Sequence, residues 1–171
     1  MIVSAKTLID ALEEKLRALT VADESDEPLF ERVERYGNKS LGKALSDLVI
    51  TQGRVCLIVP LGIRRLHDAF ASDRVLSRRF LEVDLLIADR AYYQAAQVAV
   101  FGGEKNLGVI EMSERAEVLL SGKDLSDFGP AIWDEGAQQT VSDPQKKEAP
   151  GREAWIQSLI IPAGTIETEC S

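Results

Sequence analysis

The sequence is poor in the side chains that hold metals and drive nucleophilic catalysis. It has one histidine, His67, and two cysteines, Cys56 and Cys170. A zinc site needs several Cys, His or carboxylate ligands at close spacing. One histidine and two distant cysteines do not supply it, so no metal and no cofactor are expected. Neither a Gly-x-Ser-x-Gly elbow nor a Cys–His pattern accompanies His67, which reads as a loop or surface residue. The nearest approach to a phosphate loop, Gly102-Gly103-Glu104-Lys105, lacks the Walker spacing and the hydroxyl after the lysine. It reads as a turn before a helix. No apolar run approaches the ~20 residues of a membrane helix, and Met1–Lys6 lacks a charged start followed by an apolar stretch. The expectation is a chain that is neither exported by that route nor membrane-spanning. Cys56 lies in the apolar run Val55–Val59 and reads as a small buried hydrophobe. Cys170 falls in a tail. Their spacing suggests no disulfide framework, which fits a reducing cytoplasm.

What is present is a globular composition with an acidic balance. Hydrophobic residues make up 45% and charged residues 28% of 171, enough apolar material for one core and too much for wholesale disorder. A single domain over residues 1–171 is expected. The net charge of -8 and a pI near 4.8 repel phosphate backbones, so nucleic acid is not expected as the main ligand.

Ser4 is placed to cap a helix over residues 4–19, with Leu8, Ile9, Leu12, Leu16 and Leu19 at helical spacing. A short strand fits Phe30–Tyr36. A second helix fits residues 40–50, with Ser40 as cap, Leu41, Ala44, Leu45, Leu48 and Val49 as its stripe, and Gly53 after its end. A buried strand follows over Arg54–Leu61, bounded by Gly53 and Pro60. Residues 62–78 read as irregular and residues 90–105 as ambiguous between helix and strand. Over residues 79–89, Leu81, Val83, Leu85 and Ile87 alternate with Phe80, Glu82, Asp84 and Leu86, the pattern of a strand with one covered face. The strongest helix signal lies at 105–121, where Val109, Met112, Ser113, Ala116, Leu119 and Leu120 share a stripe and Gly122 stands at its C-terminal end. Residues 123–153 read as loop-rich, flexible from about 136 to 153. Trp155–Ile161 is a last strand, ended by Pro162, with a mobile tail from about 163 to 171. The expected fold class is α+β: a mixed, mainly antiparallel sheet with helices packed on one face.

Two constellations carry charge that chemistry could use. Glu82 and Asp84 share one strand face, and Asp134 and Glu135 are adjacent. Acid–base work is conceivable on paired carboxylates, and solvated charges on an open sheet face are the plainer reading. The second constellation is the run Arg64, Arg65, Arg74 and Arg78, with Arg79 at its edge, a local reversal of charge in an acidic chain. It reads as a solvated loop, as a protein interface that meets an acidic patch, or, third, as a nucleic-acid contact opposed by the overall charge. As an interface, its residues are Arg64, Arg65, Arg74 and Arg78. A binding protein without catalysis is therefore expected.

The layout resembles the tail-terminator and tail-completion proteins of long-tailed bacteriophages and Mu-like prophages. The likeness lies in the leading helix Ser4–Leu19, the helix running into a strand over Leu45–Val59, and the strand Arg79–Ile87. It continues in the helix end Ala116-Glu117-Val118-Leu119-Leu120-Ser121-Gly122 and the stretch Gly151-Arg152-Glu153-Ala154-Trp155-Ile156 before the last strand. Residues 62–78 and 90–104 depart from that layout: the segment near the middle strand is longer, and the arginine run is not expected there. The resemblance implies a non-enzymatic structural protein forming a hexameric ring at the head-proximal end of the tail tube. Its partners would be itself, tail-tube proteins and head-connector proteins, and its location the bacterial host cytoplasm and then the virion tail. Two other classes stay open on the residues alone: a small cytoplasmic adaptor that binds through its sheet face, and a carboxylate enzyme around Glu82 and Asp84.

Overall fold

The fold is described from a computed structural model, which covers residues 2–36, 44, 53–71, 74–89, 107–121, 124–141 and 152–169. The leading amphipathic stretch forms helix α1, Ala5–Arg17. Ser4 keeps an extended backbone at its start, and its hydroxyl accepts the Thr7 amide at 3.1 Å, a cap worth about 1 kcal/mol. Lys15 and Arg17 in the last turn complement the negative end of the helix dipole. The stripe Leu8, Ile9, Leu12 and Leu16 is buried, as its spacing predicts. Helix α2, Val109–Leu120, buries Val109, Met112, Ser113, Ala116 and Leu120.

Seven strands are described: β1 Arg32–Arg35, β2 Arg54–Ala71, β3 Arg74–Asp89, β4 Asp124–Ser126, β5 Gly129–Pro130, β6 Ile132–Val141 and β7 Arg152–Glu169. Five of them make one sheet in the order β1-β2-β3-β7-β6, and β4 and β5 pair separately. Only β1 runs parallel to its neighbour, β2; the β2–β3, β3–β7 and β7–β6 ladders are antiparallel. The class is therefore α+β with a mixed, mainly antiparallel sheet, as expected from the sequence. β2 and β7 hold 18 residues each and β3 holds 16. At ~3.3 Å per residue the longest strands run roughly 60 Å.

Both described helices pack on one face. Their stripes meet Cys56 and Ile58 of β2, Leu81, Val83, Leu85 and Ile87 of β3, and Leu159 and Ile161 of β7 in one buried cluster. A smaller cluster, Val55, Leu57, Leu86, Ala88 and Ala154, lies on the opposite face. Ala44, a helical residue, packs against it. The sheet is thus covered on both sides near Leu85–Ala88, which explains why that stretch of β3 is continuously apolar. Cys56 is a free thiol in the core, and burial pushes its pKa well above the usual value.

Three expectations are corrected. Residues 62–71 and 74–78 are not irregular: they are the continuations of β2 and β3, paired from Gly62↔Glu82 to Ala71↔Arg74. Residues 136–141 and 152–153 are strand rather than loop, because β6 pairs with β7 from Ile132↔Ile160 to Val141↔Arg152. The tail from residue 163 is strand as far as Glu169, hydrogen-bonded to β3. Pro162 does not end β7 because it sits opposite Phe80 at a register shift, where a missing N–H is tolerated. Gly164, with φ 125, takes up the distortion just beyond. The helix proposed for residues 40–50, apart from helical Ala44, and the segment 90–105, the Gly102–Lys105 turn, Gly122 and Cys170 lie outside the described residues.

Ionic clamps tie α1 to the sheet edge. Arg35 of β1 reaches Asp10 at 2.7 Å and also pairs with Glu13. The hydrogen bond from Lys6, and after it the contact with Arg35, holds the Asp10 carboxyl below its ordinary value of 3.8. A folded-state pKa that is depressed contributes stability above the unfolded value and loses it as pH falls through the folded one. The stability gap between wild type and Asp10→Asn should therefore narrow between about pH 6 and about pH 2.5. Urea midpoints at the two pH values check this, and a constant gap rejects it.

Candidate functional site

Beyond the register shift at Pro60/Gly62, β2 and β3 leave the helical layer and continue as a hairpin, with the end of β7 alongside as far as Glu169. The strand period places Ile63, Arg65 and His67 on the face that carries Leu81, while Arg64 and Leu66 occupy the other. Neither face here follows the buried-apolar rule. Leu61, Ile63 and Leu66 are 57%, 36% and 43% exposed, beside exposed Arg64, Arg65, His67 and Arg78.

The hairpin brings three of the four sequence-selected arginines together. Arg65 stands opposite Arg79, and Leu66 opposite Arg78, so Arg64, Arg65 and Arg78 lie within two rungs of one another. Arg74 is set apart, at the far end of the hairpin opposite Ala71 and Glu169. Arg64 pairs with Glu82 at 3.4 Å across the strands. Among the described residues no carboxylate pairs with Arg65. His67 Nδ1 and Ser77 Oγ share a hydrogen bond of 2.7 Å, which makes His67 a cross-strand link of the hairpin.

Glu82 and Asp84 do share a face, as their spacing predicts. There Glu82 meets Arg64, and Asp84 Oδ1 accepts a hydrogen bond from Ser158 Oγ at 2.7 Å. Each carboxylate is bound to a neighbouring strand by a partner that satisfies it. Among the described residues no group of three or more His, Cys, Asp or Glu side chains could hold a metal ion. A cleft of about 380 Å³ lies beside β1, lined by Arg17, Pro28, Phe30, Glu31, Arg32, Val33 and Glu34. Its charged groups are engaged locally: Arg17 donates to the Val33 carbonyl at 3.2 Å, and Glu31 accepts the Gly53 amide at 3.0 Å.

The second carboxylate pair noted in the sequence, Asp134 and Glu135, lies at the other side of the sheet, on β6. The register of β6 on β7 shifts between Trp133 and Gly136, leaving Asp134 and Glu135 outside the ladder, both exposed. Ile132, next to them, is 52% exposed. Gln157 reaches into the shift and donates to the Asp134 carbonyl at 2.9 Å. The signal for this edge was the stretch Ile132–Gly136 itself, in which an aromatic and a β-branched residue precede two acids and a glycine.

No protein-family model matches this chain, and no curated protein matches its sequence.

Proposed function

We propose that this protein is a non-enzymatic, self-assembling structural subunit that forms a ring at the end of a phage or prophage tail tube and completes it by protein–protein contacts. The observation that carries the reading is the hairpin from Leu61 onward. It presents Leu61, Ile63 and Leu66 to solvent together with Arg64 and Arg65, on a chain whose net charge is -8. Apolar side chains exposed beside arginine are the composition of a contact surface. A ring requires two different, complementary patches on each subunit, and a basic hairpin on an acidic body provides opposite charge for such a pair. Soluble material before assembly fits the described helices, none of which is long and apolar enough to cross a membrane.

Size exclusion with light scattering, over a range of protein concentrations and at two salt strengths, tests the reading. A closed oligomer near a hexamer, weakened by salt and by Arg64→Glu with Arg65→Glu and Arg74→Glu, is the expected result. A strict monomer at every concentration would overturn ring formation and favour a monomeric adaptor.

A further inference from the structure

We propose that neighbouring copies of this chain meet edge to edge, the open edge of β2 at Leu61–His67 of one copy lying against the β6 edge at Ile132–Gly136 of the next. The inference rests on the self-assembly reading and assigns its contact.

An edge strand exposes unpaired backbone groups and is a template for a further strand. At one side of the sheet, β1 covers β2 only from Val55 to Ile58. Past that point nothing among the described residues pairs with the outer side of β2, although the strand continues to Ala71. β1 itself is guarded: it is four residues long, and Arg17 is bonded to its Val33 carbonyl. At the other side of the sheet, β6 is the last strand described.

The two edges differ in charge and agree in character. The open part of β2 carries Arg64 and Arg65, with Asp68 further along, whereas β6 has Asp134 and Glu135 and no basic residue. The exposed large hydrophobics described are Ile2, Tyr36, Leu61, Ile63, Leu66, Val118 and Ile132. Four of these seven lie on the two edges. Strand direction also fits. Through the order β2-β3-β7-β6 each strand reverses the one before, so a neighbour's β6 set beside β2 continues the alternation as an antiparallel pair.

Pairing β2 with a second β2 is disfavoured, because an antiparallel match centred on Arg64-Arg65 sets arginine against arginine. A different edge of opposite charge removes that repulsion and makes the contact head-to-tail, as a ring requires. Ile132 is level with Gly62 across the sheet, through Ile160 and Glu82. β6 and the open part of β2 extend in opposite directions from that level. Neighbours are therefore offset along the strands, which inclines the strands to the axis of assembly.

The test uses the full chain and two charge reversals at exposed positions. Arg64→Glu with Arg65→Glu makes both edges acidic, and Asp134→Lys with Glu135→Lys makes both basic. Light scattering is expected to show each variant alone associating at least about tenfold more weakly than wild type, with circular dichroism unchanged. An equimolar mixture should recover assembly, because acidic and basic copies can alternate. In a Cys170→Ser background, Arg65→Cys with Glu135→Cys should give a ladder of disulfide-linked multimers on oxidation. Wild-type oligomers that persist in both reversals, a mixture that fails to recover, or the absence of a ladder from an assembling protein overturns the edge contact alone. A wild type that never associates overturns the self-assembly reading and this contact with it.

Discussion

Leu85→Ala should lower the free energy of unfolding by about 3–5 kcal/mol, near the upper end for removal of a buried leucine. Leu85 lies on β3, the middle strand of the sheet, opposite Ile58 of β2 and Gln157 of β7, and is fully buried under the helices. Neighbours on both strands are fixed by ladder hydrogen bonds, so the space left by the side chain cannot collapse, and a cavity term adds to the lost transfer energy. Urea denaturation at constant protein concentration measures the effect, since self-association would itself contribute stability. Val118→Ala is the control: Val118 lies on α2 at 70% exposure and should change stability by no more than about 0.5 kcal/mol. A Leu85→Ala loss below about 1 kcal/mol would contradict the placement of this face in the core.

Gln157→Leu should cost about 2–3 kcal/mol, although it exchanges a polar side chain for an apolar one in a buried place. Gln157 is 5% exposed. Its Oε1 accepts hydrogen bonds from Ser113 Oγ at 3.2 Å and Trp155 Nε1 at 3.4 Å, and its Nε2 donates to the Asp134 and Ser158 carbonyls. Leucine fills the volume but leaves those groups without their partner, and unmet buried polar groups carry the desolvation cost. Adding Ser113→Ala should recover about 1 kcal/mol, because one stranded hydroxyl is then gone. A double variant no more stable than Gln157→Leu alone would show that the two side chains are not coupled. Gly136 belongs to the same arrangement. A Cβ there would stand 2.6 Å from Gln157 Oε1 and 2.7 Å from Trp155 Cζ2, so the register shift that turns Asp134 and Glu135 out of the ladder depends on a glycine.

The core was legible in the sequence wherever one face of an element was dry and the other wet. The stripe of α1 and the alternation Leu81-Val83-Leu85-Ile87 both came through, because burial on a single side imposes its period directly on residue type. The long ends of β2, β3 and β7 and the whole of β6 did not, for three separate reasons. In the hairpin beyond Gly62 both faces carry exposed residues, so adjacent Arg64 and Arg65 obey no alternation. In β6, Gly136 and the polar run Gln138-Gln139-Thr140 have loop composition, and the strand is held by its ladder to β7. In β7, Pro162 imitates a terminator, while the register shift that accommodates it is a property of two strands at once. The candidate site was half legible for the same reason. A cluster of arginines shows in one dimension, but that Arg65 and the Asp134–Glu135 pair stand towards opposite sides of one sheet appears only when the strand order is known.

The strand order also governs when the protein can finish folding during synthesis. β7 lies between β3 and β6, and its contacts with β3 join residues 68 to 95 positions apart, from Ile87↔Trp155 to Arg74↔Glu169. A nascent chain that has made only β1, β2 and β3 therefore holds one long, unpaired β3 edge with half of its core uncovered. Pairings of such separation are slow to form and leave strand edges open to aggregation in the meantime. Translation past Glu169 is the step that closes the sheet. Until then the β3 edge stays bare, a template for the same edge of another incomplete copy.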